Sequence, residues 1–331
     1  MYATDYLDSR NRFRSRLTAL RQRWPDARLN AHRLSGDEDL TIDWISAPAR
    51  QSFSKLVILT TGEHGAEGYV GAAMLELFVD EFARRLDPAD VGLLLVHVIN
   101  PWGMQHGRRV NRANVDLNRN FWWPTFPDPA PASPGYAHLN GFLNPLGPIN
   151  DLAITQLSFL AKLAARLISP GTGQIRAATL MGQYQFADGI YFGGTETQEE
   201  TRVMAALYAD HVDRYSRVLH IDLHTGYGPR DQMSIVNSAL DARDPAELKR
   251  RFDYPLVVRT TPGEFYAING DMIDYVNALA QARGRADDVY ATTFEFGTFG
   301  DSLPATVRSL RTMVLENRLW RSGGSEAAKA S

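Results

Sequence analysis

Short apolar runs alternate along the chain with longer amphipathic stretches. Lys55–Thr61 (KLVILTT) and residues 92–99 (GLLLVHVI) are continuous apolar runs of strand length, closed by Gly62 and by Asn100-Pro101. Such runs predict strands buried on both faces. Residues 39–47 alternate polar and apolar positions and predict a half-buried strand. Further strands are predicted over 217–223, 232–237 and 289–296. Helical spacing predicts helices over about 5–23, 68–85, 151–168, 195–214 and 302–321. Strands that alternate with helices imply a layered α/β fold around a largely parallel sheet. Residues 121–150 are rich in Pro, Gly and Asn and read as a long functional loop or a weak linker. The two sides of that stretch do not each look complete, so the expectation is one domain over 1–322, with the small polar tail 323–331 frayed.

Composition narrows the chemistry. The 331 residues are 44% hydrophobic and 22% charged, enough for one large α/β domain without covalent staples. There is no cysteine, which excludes disulfides, thiolate ligands and a cysteine nucleophile. Any transition-metal site must be built from His, Asp and Glu. A net charge of −3 argues against nucleic acid or an anionic membrane as partner. The polar N-terminus lacks the apolar core of a signal peptide, and no stretch approaches the roughly 20 apolar residues of a membrane span. The expected compartment is the cytoplasm.

Four segments sit at or just beyond predicted strand ends, where open α/β sheets place their ligands. The first is Gly62-Glu63-His64-Gly65-Ala66-Glu67-Gly68. His64 and Glu67, three apart in a glycine-flanked turn, could aim an imidazole and a carboxylate into one cavity, and both are good zinc ligands. Alone the motif is weak, because a glycine-rich strand-to-helix turn needs no metal. The second, residues 108–119, packs four arginines into 12 residues among Asn and Asp. Val115 and Leu117 look buried and Trp122-Trp123 follow at once, so anion recognition by planar guanidinium groups fits better than a solvated loop. The third is His220-Ile221-Asp222-Leu223-His224-Thr225-Gly226, where positions 220, 222 and 224 share one strand face and His224 falls at its end. The fourth places Glu295 between Phe294 and Phe296. A glutamate buried there needs a partner, whereas strand alternation equally allows it to face outward.

In this order, His-x-x-Glu, an arginine followed by Asp-x-Asn-Arg, a strand-end histidine and a strand glutamate resemble the pattern of the M14 zinc metallocarboxypeptidases. The wording HGAEG, NPWG, RRVNRANVDLNRNF, DLHTG and FEFGT is most similar to the small bacterial DUF2817-type branch of that family, over about residues 55–300. The resemblance implies a single three-layer α/β/α domain with a mixed, largely parallel sheet. It implies one zinc ion per chain, held by His64, Glu67 and His224 with the fourth position left to water. Glu295 would be general base and acid, and Arg109, nine residues before Asn118, would stabilise the oxyanion. Asn118 and Arg119 would grip the substrate's free carboxylate, and Asp116 would orient His64. A softer likeness makes Tyr266 a residue that closes over substrate and Ile273 part of an apolar side-chain pocket. The implied substrate is a small peptide or an N-acyl amino acid with a free carboxylate. The chain departs from the secreted digestive members in the short spacing before Asn118-Arg119 and in residues 121–150. Two rival readings stay open. One is an N-acyl amino acid deacylase of the aspartoacylase or succinylglutamate desuccinylase type, which shares these motifs. The other is a non-catalytic carboxylate- or peptide-binding protein on the same fold.

Overall fold

The computed structural model describes residues 2–167, 181–260 and 268–329. Its strands are β1 (Arg28–Arg33), β2 (Thr41–Ala47), β3 (Lys55–Thr61), β4 (Val91–Val96), β5 (Arg217–Gly226), β6 (Met233–Asn237), β7 (Val257–Arg259) and β8 (Val289–Gly297). They form one 8-stranded sheet in the order β1-β2-β4-β3-β5-β8-β6-β7. The centre, β4-β3-β5-β8, is parallel, while β2 joins β4, and β6 joins β8, in antiparallel fashion. The sheet is therefore mixed and largely parallel, as the alternation of strands and helices implied.

The helices are α1 (Tyr6–Arg21), α2 (Gly68–Leu77), α3 (Pro101–His106), α4 (Pro134–Leu143), α5 (Leu152–Leu167), α6 (Glu199–Val212), α7 (Pro245–Phe252), α8 (Met272–Ala282), α9 (Leu303–Ser322) and α10 (Glu326–Lys329). One sheet face packs Leu59, Leu93 and Leu95 against Phe13 and Leu20 of α1 and Leu75 of α2. The other packs Leu56, Ile58, Leu94 and Val96 against Leu207 and Tyr208 of α6 and Val276 and Leu279 of α8. Burial on both faces is why β3 and β4 read as unbroken apolar runs. The result is three layers, α/β/α, with the apolar cores on either side of the sheet.

Some elements depart from their predicted forms. The helix expected over 68–85 is regular only to Leu77, then continues as a π turn (Phe78–Phe82) and a 3₁₀ turn (Ala83–Arg85). β4 ends at Val96 rather than at residue 99, although the amides of His97 and Ile99 still donate to Asp43 of β2 and Thr61 of β3. Residues 121–150, read as loop or linker, contain α4, whose Tyr136, Leu139, Phe142 and Leu143 pack with Phe159 and Leu163 of α5 and Val314 of α9. The tail, expected to fray from residue 323, instead bridges Gly324 to Ile149 and buries Ala328 in α10. No helix among the described residues is long and apolar enough to cross a membrane.

Candidate functional site

The parallel centre of the sheet brings the carboxyl ends of β3, β5 and β8 side by side. Thr61 pairs with Leu223, and His224 with Glu295, in register. Partners across a parallel pair point to the same face, so Glu295 faces the cavity beside His224 while Phe294 packs on the opposite side with Ile235 and Leu248. Beyond β3 the chain turns through Gly62, at φ +63°, into the His64–Glu67 segment. That turn lies against α3 so closely that a Cβ on Gly65 would sit 2.2 Å from the carbonyl carbon of Gly103. The amides of Gly65 and Ala66 donate to the carbonyls of Arg109 and Arg108 at 3.2 and 2.8 Å. The first two sequence segments are thus one structural unit.

Two imidazoles meet edge to face there, with ring centroids 4.9 Å apart. His64 Nδ1 lies 2.9 Å from Glu67 Oε1, and His224 Nδ1 lies 3.6 Å from Glu67 Oε2. Behind them, His64 Nε2 lies 3.2 Å from Asp116 Oδ1, and His224 Nε2 contacts Asp222 Oδ2. Each ring therefore rests on an aspartate through one nitrogen and turns the other toward Glu67, the arrangement that orients metal-binding histidines. Asp116 also accepts from Arg109 Nε at 2.9 Å, and Asp222 accepts from Thr60 Oγ1 at 2.6 Å. Glu67 Oε2 accepts the amide of Thr225 at 2.6 Å.

Glu63 adds a further carboxylate. Its Oε2 lies 3.3 Å from His224 Nε2, yet neither of its buried oxygens has a hydrogen-bond partner. Among the described residues, Glu63, His64 and His224 offer ligand atoms within 4.8 Å of one another. Glu63 and Glu67 therefore approach His224 from opposite ring edges. Of these two carboxylates, Glu67 lines the cavity and Glu63 does not. Oxygen and imidazole nitrogen donors suit zinc, and the excess of buried carboxylates calls for a cation.

The charges respond accordingly. Burial and Arg109 work against a charged His64, but Glu67 and Asp116 prevail and its pKa is raised. Burial likewise opposes a charged His224, and Asp222, Glu63 and Glu67 overcome it, holding the pKa well above 6.5. Burial would raise Glu67, but His64 and His224 bring it down to about 2. Without metal, protons on the two imidazoles supply positive charge that a dication could replace. Glu63 is pushed up to about 7, chiefly by burial and then by Asp222. A carboxyl raised in the fold contributes its full stability below its unfolded pKa and loses it as pH rises through the folded one. Metal-free Glu63→Gln is therefore expected to match the natural chain near pH 4, below the unfolded pKa. At pH 8 it should be more stable by up to about 3 kcal/mol, measured by urea unfolding in the presence of chelator. A gain of the same size at both pH values would reject the unpaired carboxyl as its cause.

A cavity of about 600 Å³ opens above this cluster. His64, Glu67, His224, Glu295, Arg109, Asn118, Arg119 and Ile273 all line it, and Asp116 sits behind, fully buried. Tyr266 lies outside the described residues. Glu295 Oε1 accepts the amide of Tyr227 at 2.9 Å. Burial first, and then the charge of Glu67, raises its carboxyl to about 7. Asn118 is fixed by the amide of Met272, which donates to its Oδ1 at 3.2 Å, and Arg119 Nη1 donates to the carbonyl of Asn118 at 2.7 Å. Ile273 shares its end of the cavity with Ser238, Thr260 and Asp271, so that end is polar as well as apolar. Sequence reasoning missed Glu63, Asp222 and Tyr191. Asp222 had a signal, since it shares a strand face with His224. Glu63 and Tyr191 had none, because their importance comes from contacts between distant segments.

Known structures share the fold. Bovine thrombin-activatable fibrinolysis inhibitor, solved with a tick carboxypeptidase inhibitor, superposes with a TM-score of 0.50 at 14% identity, covering 93% of this chain and 94% of that one. Carboxypeptidase A from Helicoverpa armigera gives a TM-score of 0.50 at 15% identity, covering 99% of this chain and 74% of its own. At such identities the likeness is one of fold. No curated protein matches the sequence. A family profile described as a protein of unknown function, DUF2817, matches residues 2–331, and the chain therefore belongs to the DUF2817 family.

Proposed function

We propose that this protein is a zinc-dependent hydrolase that cleaves an amide bond next to a free carboxylate, acting as a metallocarboxypeptidase. One observation carries the reading. The Nδ1 edges of His64 and His224 converge on Glu67 in the same cavity that Glu295, Arg109, Asn118 and Arg119 line. His64, Glu67 and His224 would hold the ion, with its remaining position open to the cavity. When bound, zinc would polarise the scissile carbonyl and make water acidic enough to attack at neutral pH. Glu295 would take the water's proton and pass it to the leaving amine, as a carboxyl that lines the same cavity can. Arg109, held by Asp116, would turn its positive charge toward the oxyanion. Asn118 and Arg119 would anchor the carboxylate and so fix which bond lies over the metal. The cavity volume falls in the range of small-molecule sites.

The test of substrate class is a parallel screen of C-terminal peptides and N-acyl amino acids. Faster turnover of the peptides supports the carboxypeptidase reading, and faster turnover of the N-acyl amino acids turns it to a deacylase. Arg119→Ala is expected to weaken binding of a free-carboxylate ligand about 10- to 100-fold, the loss of a charged hydrogen bond. The amidated analogue should be nearly unaffected. Equal effects on acid and amide, measured by titration calorimetry, would reject the clamp.

A further inference from the structure

Tyr191 belongs to no motif, yet three separate features meet at it. Its backbone is left-handed, with φ +58°, an unfavourable conformation for a side chain of this size. Hydrogen bonds on both sides impose it. Gln183 donates its amide to the carbonyl of Tyr191 at 3.0 Å, and Asp116 donates its own to the carbonyl of Phe192 at 2.7 Å. Ile190 donates its amide to Asn144 Oδ1 at 2.9 Å. The strained residue is therefore one position from a backbone bond to Asp116, the carboxylate that supports both His64 and Arg109.

The ring is the second feature. The guanidinium carbons of Arg109 and Arg119 each lie 5.8 Å from its centroid, within cation–π range. Two guanidinium groups thus approach one aromatic ring, with the buried Asp116 carboxylate attracting both. The third feature is place. Tyr191 lines the cavity with both arginines, and its hydroxyl rests on Met313 of α9, at 3.1 Å from the sulfur. Arg109 Nη1 is already 3.9 Å from Glu67 Oε1. Asp116 holds that guanidinium by Nε at 2.9 Å, and the Tyr191 ring lies against it.

We propose that Tyr191 is the positioning residue of the arginine pair. Its ring is a shelf that keeps Arg109 and Arg119 side by side and facing the cavity, and recognition of a ligand's free carboxylate depends on it. The inference rests on the carboxylate-directed hydrolase reading given above. The hydroxyl is secondary, so Tyr191→Phe should behave as the natural chain does. Ring deletion is best made by Tyr191→Gly, because glycine adopts φ +58° without strain. Tyr191→Asn, another residue that tolerates this conformation, serves as the second variant should the first not fold.

The experiment measures binding of N-acetyl-L-phenylalanine and of its amide to the zinc-supplied protein by titration calorimetry, with zinc content and thermal midpoint recorded for each variant. The expected result is a natural chain and Tyr191→Phe that both favour the acid. Tyr191→Gly or Tyr191→Asn should lose about tenfold in acid affinity, in line with loss of a charged contact. Amide binding and zinc content should stay unchanged. A folded ring-deletion variant that keeps the natural acid-to-amide ratio overturns the shelf. A natural chain with no preference for the acid overturns instead the carboxylate reading on which the shelf rests.

Discussion

Glu295→Gln is expected to keep its metal and to lose turnover by about 10²- to 10⁴-fold, the range of general acid–base catalysis. Glutamine matches the shape of the side chain, and its carbonyl can still accept the Tyr227 amide that Glu295 accepts at 2.9 Å. It cannot take a proton from water. The substitution also removes a buried carboxyl whose pKa burial has already raised to about 7, so the fold should be no less stable. Kinetics and metal analysis on one preparation separate the two effects. Turnover close to that of the natural chain would take Glu295 out of the mechanism. Loss of metal together with activity would make it a support of the site rather than its base.

His64→Ala is expected to reduce zinc content from about one ion per chain to almost none. It deletes one of two imidazoles and leaves Glu67 Oε1 without its partner at 2.9 Å and Asp116 Oδ1 without its partner at 3.2 Å. Stripping one side from a buried charged pair typically costs about 3–5 kcal/mol, so thermal unfolding must be measured beside the metal content. A folded His64→Ala protein that still holds zinc would overturn the ligand assignment. A natural chain that takes up no zinc when supplied with it would remove the hydrolase reading at its root. A non-catalytic carboxylate-binding protein on the same fold would then be the better account.

The centre of the fold was legible because doubly buried parallel strands leave unbroken apolar runs, as in β3 and β4. The edges were not. β1 alternates with only Leu29 and Ala31 on its apolar side, too short a signal to read, and β7 has only three residues. α3 and α4 are held by tertiary packing rather than by any strong pattern of their own, and α4 hides in a segment dense in proline and glycine. One polar part of the cavity's lining was legible through motif order, since His64, Glu67, Arg109, Asn118, Arg119, His224 and Glu295 come together, while the wall from α9 was not. What escaped were residues whose importance arises only through space. Glu63 matters because β5 returns beside it, and Tyr191 because two arginines from another segment close over it.

The pairing of His224 with Glu295 across β5 and β8 has a consequence for how such a protein can change. Their spacing is set by the hydrogen bonds of two central strands, not by a loop. A slip of one residue would bring Phe294 or Phe296 to the place of Glu295, because a strand's side chains alternate with a period of two. The His224–Glu295 pair is thus protected from gradual drift: it is kept whole or lost outright. The other walls of the cavity come from α9, the turn after β8 and the β6–β7 end of the sheet, which lie outside that central pairing. Insertions and substitutions there can reshape what enters the cavity while His224 and Glu295 stay in place.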